Sequence, residues 1–228
     1  DRILAQGVIP ALPAQWLVES ALSSAGGSPF AGDFVSAALS GRGRRLEVAV
    51  VDVSGKGEAA GTRALQLSGA MGGLLSALPA SEFLAASNDF LLQREWDEGF
   101  ASAVHLSLDL GSGEYEVRSA GHPPAVHRSA GSGRWTAVRA EGPLLGLTED
   151  VAYAAASGRL APGDSLLLYT DGLVERSGRD IELGIDAMCG AAERLSMHSW
   201  DGLANRLVAA VGSPDDDRAV VAVHRRPR

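Results

Sequence analysis

Over residues 101–118 the apolar side chains fall on every second position. Val104, Leu106 and Leu108 alternate with His105, Ser107 and Asp109. After the turn signal Gly111-Ser112-Gly113, Tyr115 and Val117 alternate with Glu114, Glu116 and Arg118. A period of two sends successive side chains to opposite faces, so this stretch reads as an antiparallel hairpin. The apolar face of such a hairpin must be covered by a second layer.

The rest of the chain supplies candidates for that layer. Residues 46–53 (LEVAVVDV) form a short β-branched run before Ser54-Gly55, which reads as a buried strand. The period then becomes helical: Leu67, Met71, Leu74, Leu75 and Leu78 share one stripe, Pro79 ends it, and Phe83, Ala86 and Phe90 mark a second helix. Further strands are expected at 125–128, 135–139 and 165–170, the last after the turn Pro162-Gly163-Asp164. Helices follow over 181–195 and 200–211, with Ser199 as N-cap of the latter. Residues 219–223 close the chain as a strand, and residues 11–30, rich in Pro, Gly and Ser, hold one strand around Trp16, Leu17, Val18 and Leu22. The order is strands, two helices, strands, two helices, strand. That predicts an α+β fold of packed antiparallel sheets with helices outside, not a parallel βαβ sheet. No repeat or linker divides the 228 residues, which read as a single domain over 1–228, with 1–29 as its lead-in.

Composition removes some functions. The net charge is −8 and no basic face is visible, which argues against nucleic acid as partner. The basic run His224, Arg225, Arg226, Arg228 is expected to be a solvated tail. Cys189, the one cysteine, has no disulfide partner and reads as a buried, inert thiol. No apolar run is long enough to span a bilayer and no signal peptide is visible, so no membrane insertion and a cytoplasmic address are expected. The chain starts at Asp1 rather than Met, which reads as a fragment of a longer protein.

Four acidic positions stand where a strand meets a turn. They are Asp33 in AGDF (31–34), Asp52 in DVSGKG (52–57), Asp171 in TDG (170–172) and the triplet Asp215-Asp216-Asp217. A strand end fixes a side chain at a sheet edge, and glycines let the backbone approach a ligand. Clustered carboxylates repel unless a cation neutralises them. All-oxygen donors suit Mg²⁺ or Mn²⁺, and two such ions about 3.5–4 Å apart can activate a water and clamp a phosphoryl oxygen. Taken singly, an Asp-Gly is ordinarily a turn; the chemistry rests on the set occurring together.

With these residues in view, the chain resembles the metal-dependent protein phosphatase (PPM) family, in its bacterial branch of sporulation stage II E and environmental-stress sigma-factor regulators. The segments that carry the resemblance are AGDF (31–34), VVDVSGKGEAA (50–60), FASAVHLSLDLGSGEYEVRSAGHPP (100–124), GPLLGL (142–147), PGDSLLLYTDGLVE (162–175) and DDRAVVAVHR (216–225). The resemblance implies an αββα sandwich, with two antiparallel sheets face to face and helix pairs outside. It implies hydrolysis of phosphoserine or phosphothreonine with two Mn²⁺ or Mg²⁺ ions. Asp52 matches the aspartate that bridges both ions, Val53 the carbonyl that helps hold one, and Asp33 the ligand of that same ion through water. Asp171 and Asp216 match the ligands of the other, with Asp217 the second member of the Asp pair and Asp215 a bystander. It also implies a phosphorylated STAS-type anti-sigma-factor antagonist as substrate, an upstream sensor acting through the first helix pair, and allows a homodimer. A non-catalytic binding module on the same fold is the rival reading, which loss of a core aspartate would have favoured.

The chain departs from the family pattern at Ala31, where a second glycine is usual, at Val35-Ser36, where Tyr-Asp is common, and at Ala219, where Thr is frequent. Among other polar residues, Lys56 reads equally as phosphate contact or solvated lysine. His122 in GHPP is expected to be a backbone-bonded turn histidine rather than a general acid, His105 and His127 to be structural, and Glu175 to be a helix-side charge.

Overall fold

The computed structural model describes residues 8–27, 31–55, 57–94, 99–175 and 180–227. Strands β1 (Trp16–Ser23), β2 (Asp33–Ser40) and β3 (Arg45–Val53) precede helices α1 (Gly57–Ala77) and α2 (Phe83–Leu92). Then come β4 (Ala101–Asp109), β5 (Glu114–Ala120), β6 (Ala125–Arg128), β7 (Trp135–Val138), β8 (Ala156–Arg159) and β9 (Ser165–Tyr169). Helices α3 (Ile181–Ser196) and α4 (Leu203–Ala210) lead to the final strand β10 (Arg218–Arg225). The expected order is present, and the period-two stretch is the β4–β5 hairpin, with Leu106 opposite Val117.

The strands form two five-stranded sheets, β2-β3-β4-β5-β8 and β1-β10-β9-β6-β7, with antiparallel pairing throughout the named strands. Alternation along each strand builds three apolar layers. Val48, Val50, Leu106, Val117, Leu168 and Val221 meet between the sheets. On the outer face of the first sheet, Ala49, Val51 and Ala103 lie against Leu67, Met71 and Leu75 of α1 and Leu84 of α2. On the second, Leu167, Tyr169 and Val220 lie against Met188 of α3 and Leu207 of α4. Both faces of each central strand are therefore covered. That is why residues 46–53 read as an almost unbroken apolar run rather than an alternating one.

Three details depart from expectation. Strand β8, ASGR in sequence, carries no apolar signal; it forms because β5 offers it an open edge. Ser199 does not cap α4. Its hydroxyl accepts from the Asp201 N–H at 2.9 Å, and the cap position falls to Gly202 in a left-handed conformation, with φ 73°. The basic terminus is a solvated tail only in part: Arg226 is exposed, Arg228 lies outside the described residues, and the two residues before them are buried. His224 and Arg225 are buried in β10 because that strand is central, with β1 on one side and β9 on the other. The Arg225 guanidinium donates to the carbonyls of Leu160 (2.7 Å), Ser112 (2.9 Å) and Gly111 (3.1 Å), and lies over the Trp16 ring. It thereby ties the β4–β5 turn of one sheet to the last strand of the other.

Candidate active site

At one end of the sandwich the inward-facing positions change from apolar to polar. In β3 they run Leu46, Val48, Val50 and then Asp52; in β2, Leu39, Ala37, Val35 and then Asp33; in β4, Leu108, Leu106, Val104 and then Ser102. Strand register lines these exits up, with Asp33 opposite Asp52 and Asp52 opposite Ser102. On the other sheet Thr170 follows inward Leu166 and Leu168, and Asp217 precedes inward Ala219 and Val221. The hydrophobic core thus ends in a layer of Asp, Ser and Thr drawn from both sheets.

Thr170 joins the sheets across this layer. Fully buried, its hydroxyl donates to Asp33 Oδ2 at 2.6 Å and accepts from the Ala219 N–H at 2.8 Å. Asp217 is committed to backbone: its two oxygens accept from the N–H groups of Ala25 (2.7 Å) and Gly32 (2.6 Å). Asp216 accepts from the Asp217 N–H at 3.1 Å and is half-buried, whereas Asp215 is exposed. One glycine is required by close approach: a Cβ on Gly172 would strike the Asp217 carbonyl, which is why TDG keeps its glycine. A Cβ on Gly32 would press to 3.1 Å from the Val53 carbonyl oxygen.

A cleft of about 400 Å³ opens onto this layer. Asp52, Ser54, Ser102, His122 and Asp171 line its polar side, and Phe100, Leu144 and Ile181 its apolar side. Glu175, expected to be only a helix-side charge, lies at the same cleft and is exposed. Lys56 is outside the described residues.

The electrostatics are those of crowded carboxylates. Burial, then the charges of Asp171, Asp216 and Asp217, push Asp52 up to about 7, against a hydrogen bond with Asp33 that pulls the other way. Burial and the Asp52 charge hold Asp33 well above the usual carboxylate range, opposed by the Thr170 hydroxyl. Carboxylates that raise one another's proton affinity are a set in which a shared cation is strongly favoured. Among the described residues, however, no three or more His, Cys, Asp or Glu side chains are arranged to hold an ion as they stand. The fit is therefore one of donor chemistry: hard oxygen donors of the right type, converging from both sheets, with Asp33 and Asp52 opposite each other in register.

The histidines behave as structural groups. His105 is buried beside Glu47, 3.0 Å from Nε2 to Oε2, and His127 bonds Asp164 and Tyr115. His122 is buried with Nδ1 2.6 Å from Ser102 Oγ and Nε2 2.9 Å from the Tyr169 carbonyl oxygen. Ser and His at that spacing resemble a nucleophile and its base. Burial pushes this imidazole down to about 4, however, which makes it too weak a base to activate an alcohol at neutral pH. Cys189 is buried in the α3–α4 layer, its thiol pushed up to about 12 by burial. Sequence reasoning found the aspartates but not Thr170 or Ser102. Their signal was the same period-two count, continued one step past the last apolar residue.

The comparisons with known proteins agree with this architecture. The family model for Stage II sporulation protein E (SpoIIE) matches residues 42–226. Phosphoserine phosphatase RsbU of Bacillus subtilis (strain 168) is 25% identical over 167 residues, 69% of this chain and 50% of that protein. The chain thus spans about half the length of that curated relative. The crystal structure of the RsbU and RsbW domains of a Mycobacterium tuberculosis protein superposes with a TM-score of 0.81 at 28% identity, over 98% of this chain and 64% of that one. The PP2C phosphatase domain of SpoIIE from Bacillus subtilis shares the fold, with a TM-score of 0.79 at 22% identity over 93% of this chain and 64% of that one. With two antiparallel sheets between helix pairs, the fold of the PP2C domain, and the family model matched over most of its length, the chain belongs to the SpoIIE family.

Proposed function

We propose that this chain hydrolyses phosphoserine or phosphothreonine on a partner protein, using a pair of Mn²⁺ or Mg²⁺ ions. The observation that carries this reading is the meeting of carboxylates from both sheets at one cleft, where burial and the neighbouring charges push Asp52 up to about 7. Asp33, Asp52, Asp171, Asp216 and the Val53 carbonyl would hold the ions. When bound, the pair supplies an activated water and neutralises charge developing on the phosphoryl group. The chain's own residues do the rest. Thr170 orients Asp33, Asp217 fixes the Gly32 turn that approaches Val53, and Phe100, Leu144 and Ile181 form the apolar side of the cleft. Direct attack by water suits this site, since Cys189 lies in another layer and His122 is a poor base for Ser102.

By likeness to the RsbU and SpoIIE proteins, the substrate is a phosphorylated STAS-type anti-sigma-factor antagonist. The setting is a cytoplasmic partner-switching pathway under an upstream sensor. In keeping with that setting, among the described residues no helix is long and apolar enough to cross a membrane. The decisive experiment is Mn²⁺ titration of hydrolysis of a phosphoserine peptide by the purified chain. Asp52→Asn and Asp171→Asn should fall to background while Asp215→Asn stays near wild type. Hydrolysis undiminished by exhaustive chelation would overturn the mechanism. Peptide binding without turnover at any metal concentration would mark a binding module instead.

A further inference from the structure

We propose that His122 is a positioning residue of this site: it bridges the two sheets beneath the cleft and sets the spacing between Asp52 and Asp171. The inference rests on the metal-site reading above. Ser102 is the register partner of Asp52 on the first sheet, and the Tyr169 carbonyl lies two residues before Asp171 on the second. His122 joins them, with Nδ1 2.6 Å from Ser102 Oγ and Nε2 2.9 Å from the Tyr169 oxygen.

Chemistry fixes the direction of both bonds. A carbonyl oxygen only accepts, so Nε2 carries the proton and donates to Tyr169. In a neutral ring the other nitrogen then accepts, so the Ser102 hydroxyl donates to Nδ1. Burial of the ring keeps it neutral, in agreement with this tautomer. The rest of His122 is equally constrained. Its N–H donates to Ser119 Oγ and its carbonyl accepts from the same hydroxyl, each at 3.1 Å, and the preceding Gly121 takes φ 62° to make the turn. With both ring nitrogens and both backbone groups engaged, the imidazole acts as a rigid spacer rather than a mobile acid. Two other side-chain links named above cross between the sheets at this end, Thr170 to Asp33 and Asp217 to the Gly32 N–H. The links brace different members of the carboxylate set: Thr170 and Asp217 hold Asp33 and the turn before it, and His122 holds the strand ends that carry Asp52 and Asp171.

The test is Mn²⁺ binding by titration calorimetry on wild type, Ser102→Ala, Ser102→Thr and His122→Phe, with thermal melts in chelator alongside. Ser102→Ala and His122→Phe should weaken Mn²⁺ binding at least about tenfold, the scale seen when groups supporting a metal site are removed. Ser102→Thr retains the hydroxyl and should bind nearly as wild type. If His122→Phe fails to fold, the Ser102 pair still decides. Melting temperatures that fall while Mn²⁺ affinity holds would overturn the proposal, leaving His122 a purely structural residue. Normal Mn²⁺ affinity in Ser102→Ala with turnover abolished would also overturn it, placing Ser102 in contact with substrate. Wild type that binds no Mn²⁺ would instead sink the metal-site reading itself, and this proposal with it.

Discussion

Thr170→Val is the sharpest probe of the polar layer, because valine keeps the shape and removes only the hydroxyl. Two bonds are lost together, the 2.6 Å donation to Asp33 and the 2.8 Å acceptance from the Ala219 N–H. A hydrogen bond to a charged group contributes about 1.5–3 kcal/mol, and a buried N–H left unpaired costs about 1–3 kcal/mol. Burial and the Asp52 charge hold Asp33 well above the usual carboxylate range, against its bond with Thr170, so the lower end of each range is used. Roughly 2.5 kcal/mol of lost stability is expected, or a melting point lower by about 5–10 °C for a domain of this size. Urea unfolding in chelator measures it, and Thr170→Ser, which retains the hydroxyl, should recover most of the loss. A loss under about 0.5 kcal/mol, no more than a surface substitution costs, would show that the cross-sheet bond contributes little. An equal loss in Thr170→Ser would assign the effect to the methyl group.

Two further outcomes follow from the same layer and from the helix above it. Asp52 binds its proton more tightly folded than unfolded, so its contribution is full at low pH and vanishes as pH rises through about 7. In chelator, the stability of wild type minus that of Asp52→Asn should therefore fall by about 2 kcal/mol between pH 5.5 and 7.5. The difference is the quantity to measure, because neutral buried His105, His122 and His224 tilt the raw curve the opposite way below their ordinary range. A flat difference would refute the carboxylate crowding. Gly72 sits in the middle of α1 with nothing within 4 Å of the position a Cβ would take. Gly72→Ala should therefore stabilise the chain by up to about 1 kcal/mol, read as a higher urea midpoint. A lower midpoint would mean that α1 needs the flexibility of its glycines.

Sequence by itself determined most of the elements and their layering, though not strands β2 and β8. Period two in residues 101–118 marked an antiparallel hairpin, and the leucine stripe over 67–78 an amphipathic helix. The sequence also marked the aspartates, since each stands where a strand meets a turn bounded by glycine or proline. The tertiary structure decided which of these residues meet. Asp33 and Asp52 face each other because β2 and β3 pair in a register set by their apolar inner faces, and no local rule announces that register. Thr170 reaches Asp33 from 137 residues away, across the gap between two sheets, which only their packing closes. The buried part of the terminus carries the same lesson. Arg225 reads as a solvated charge until β10 is seen between two neighbours, where the carbonyls of a distant hairpin turn replace the water it gives up. Side-chain alternation is a property of one strand and can be read along it. Register and sheet-on-sheet contact are properties of pairs distant in sequence, and burial across the whole core selects them.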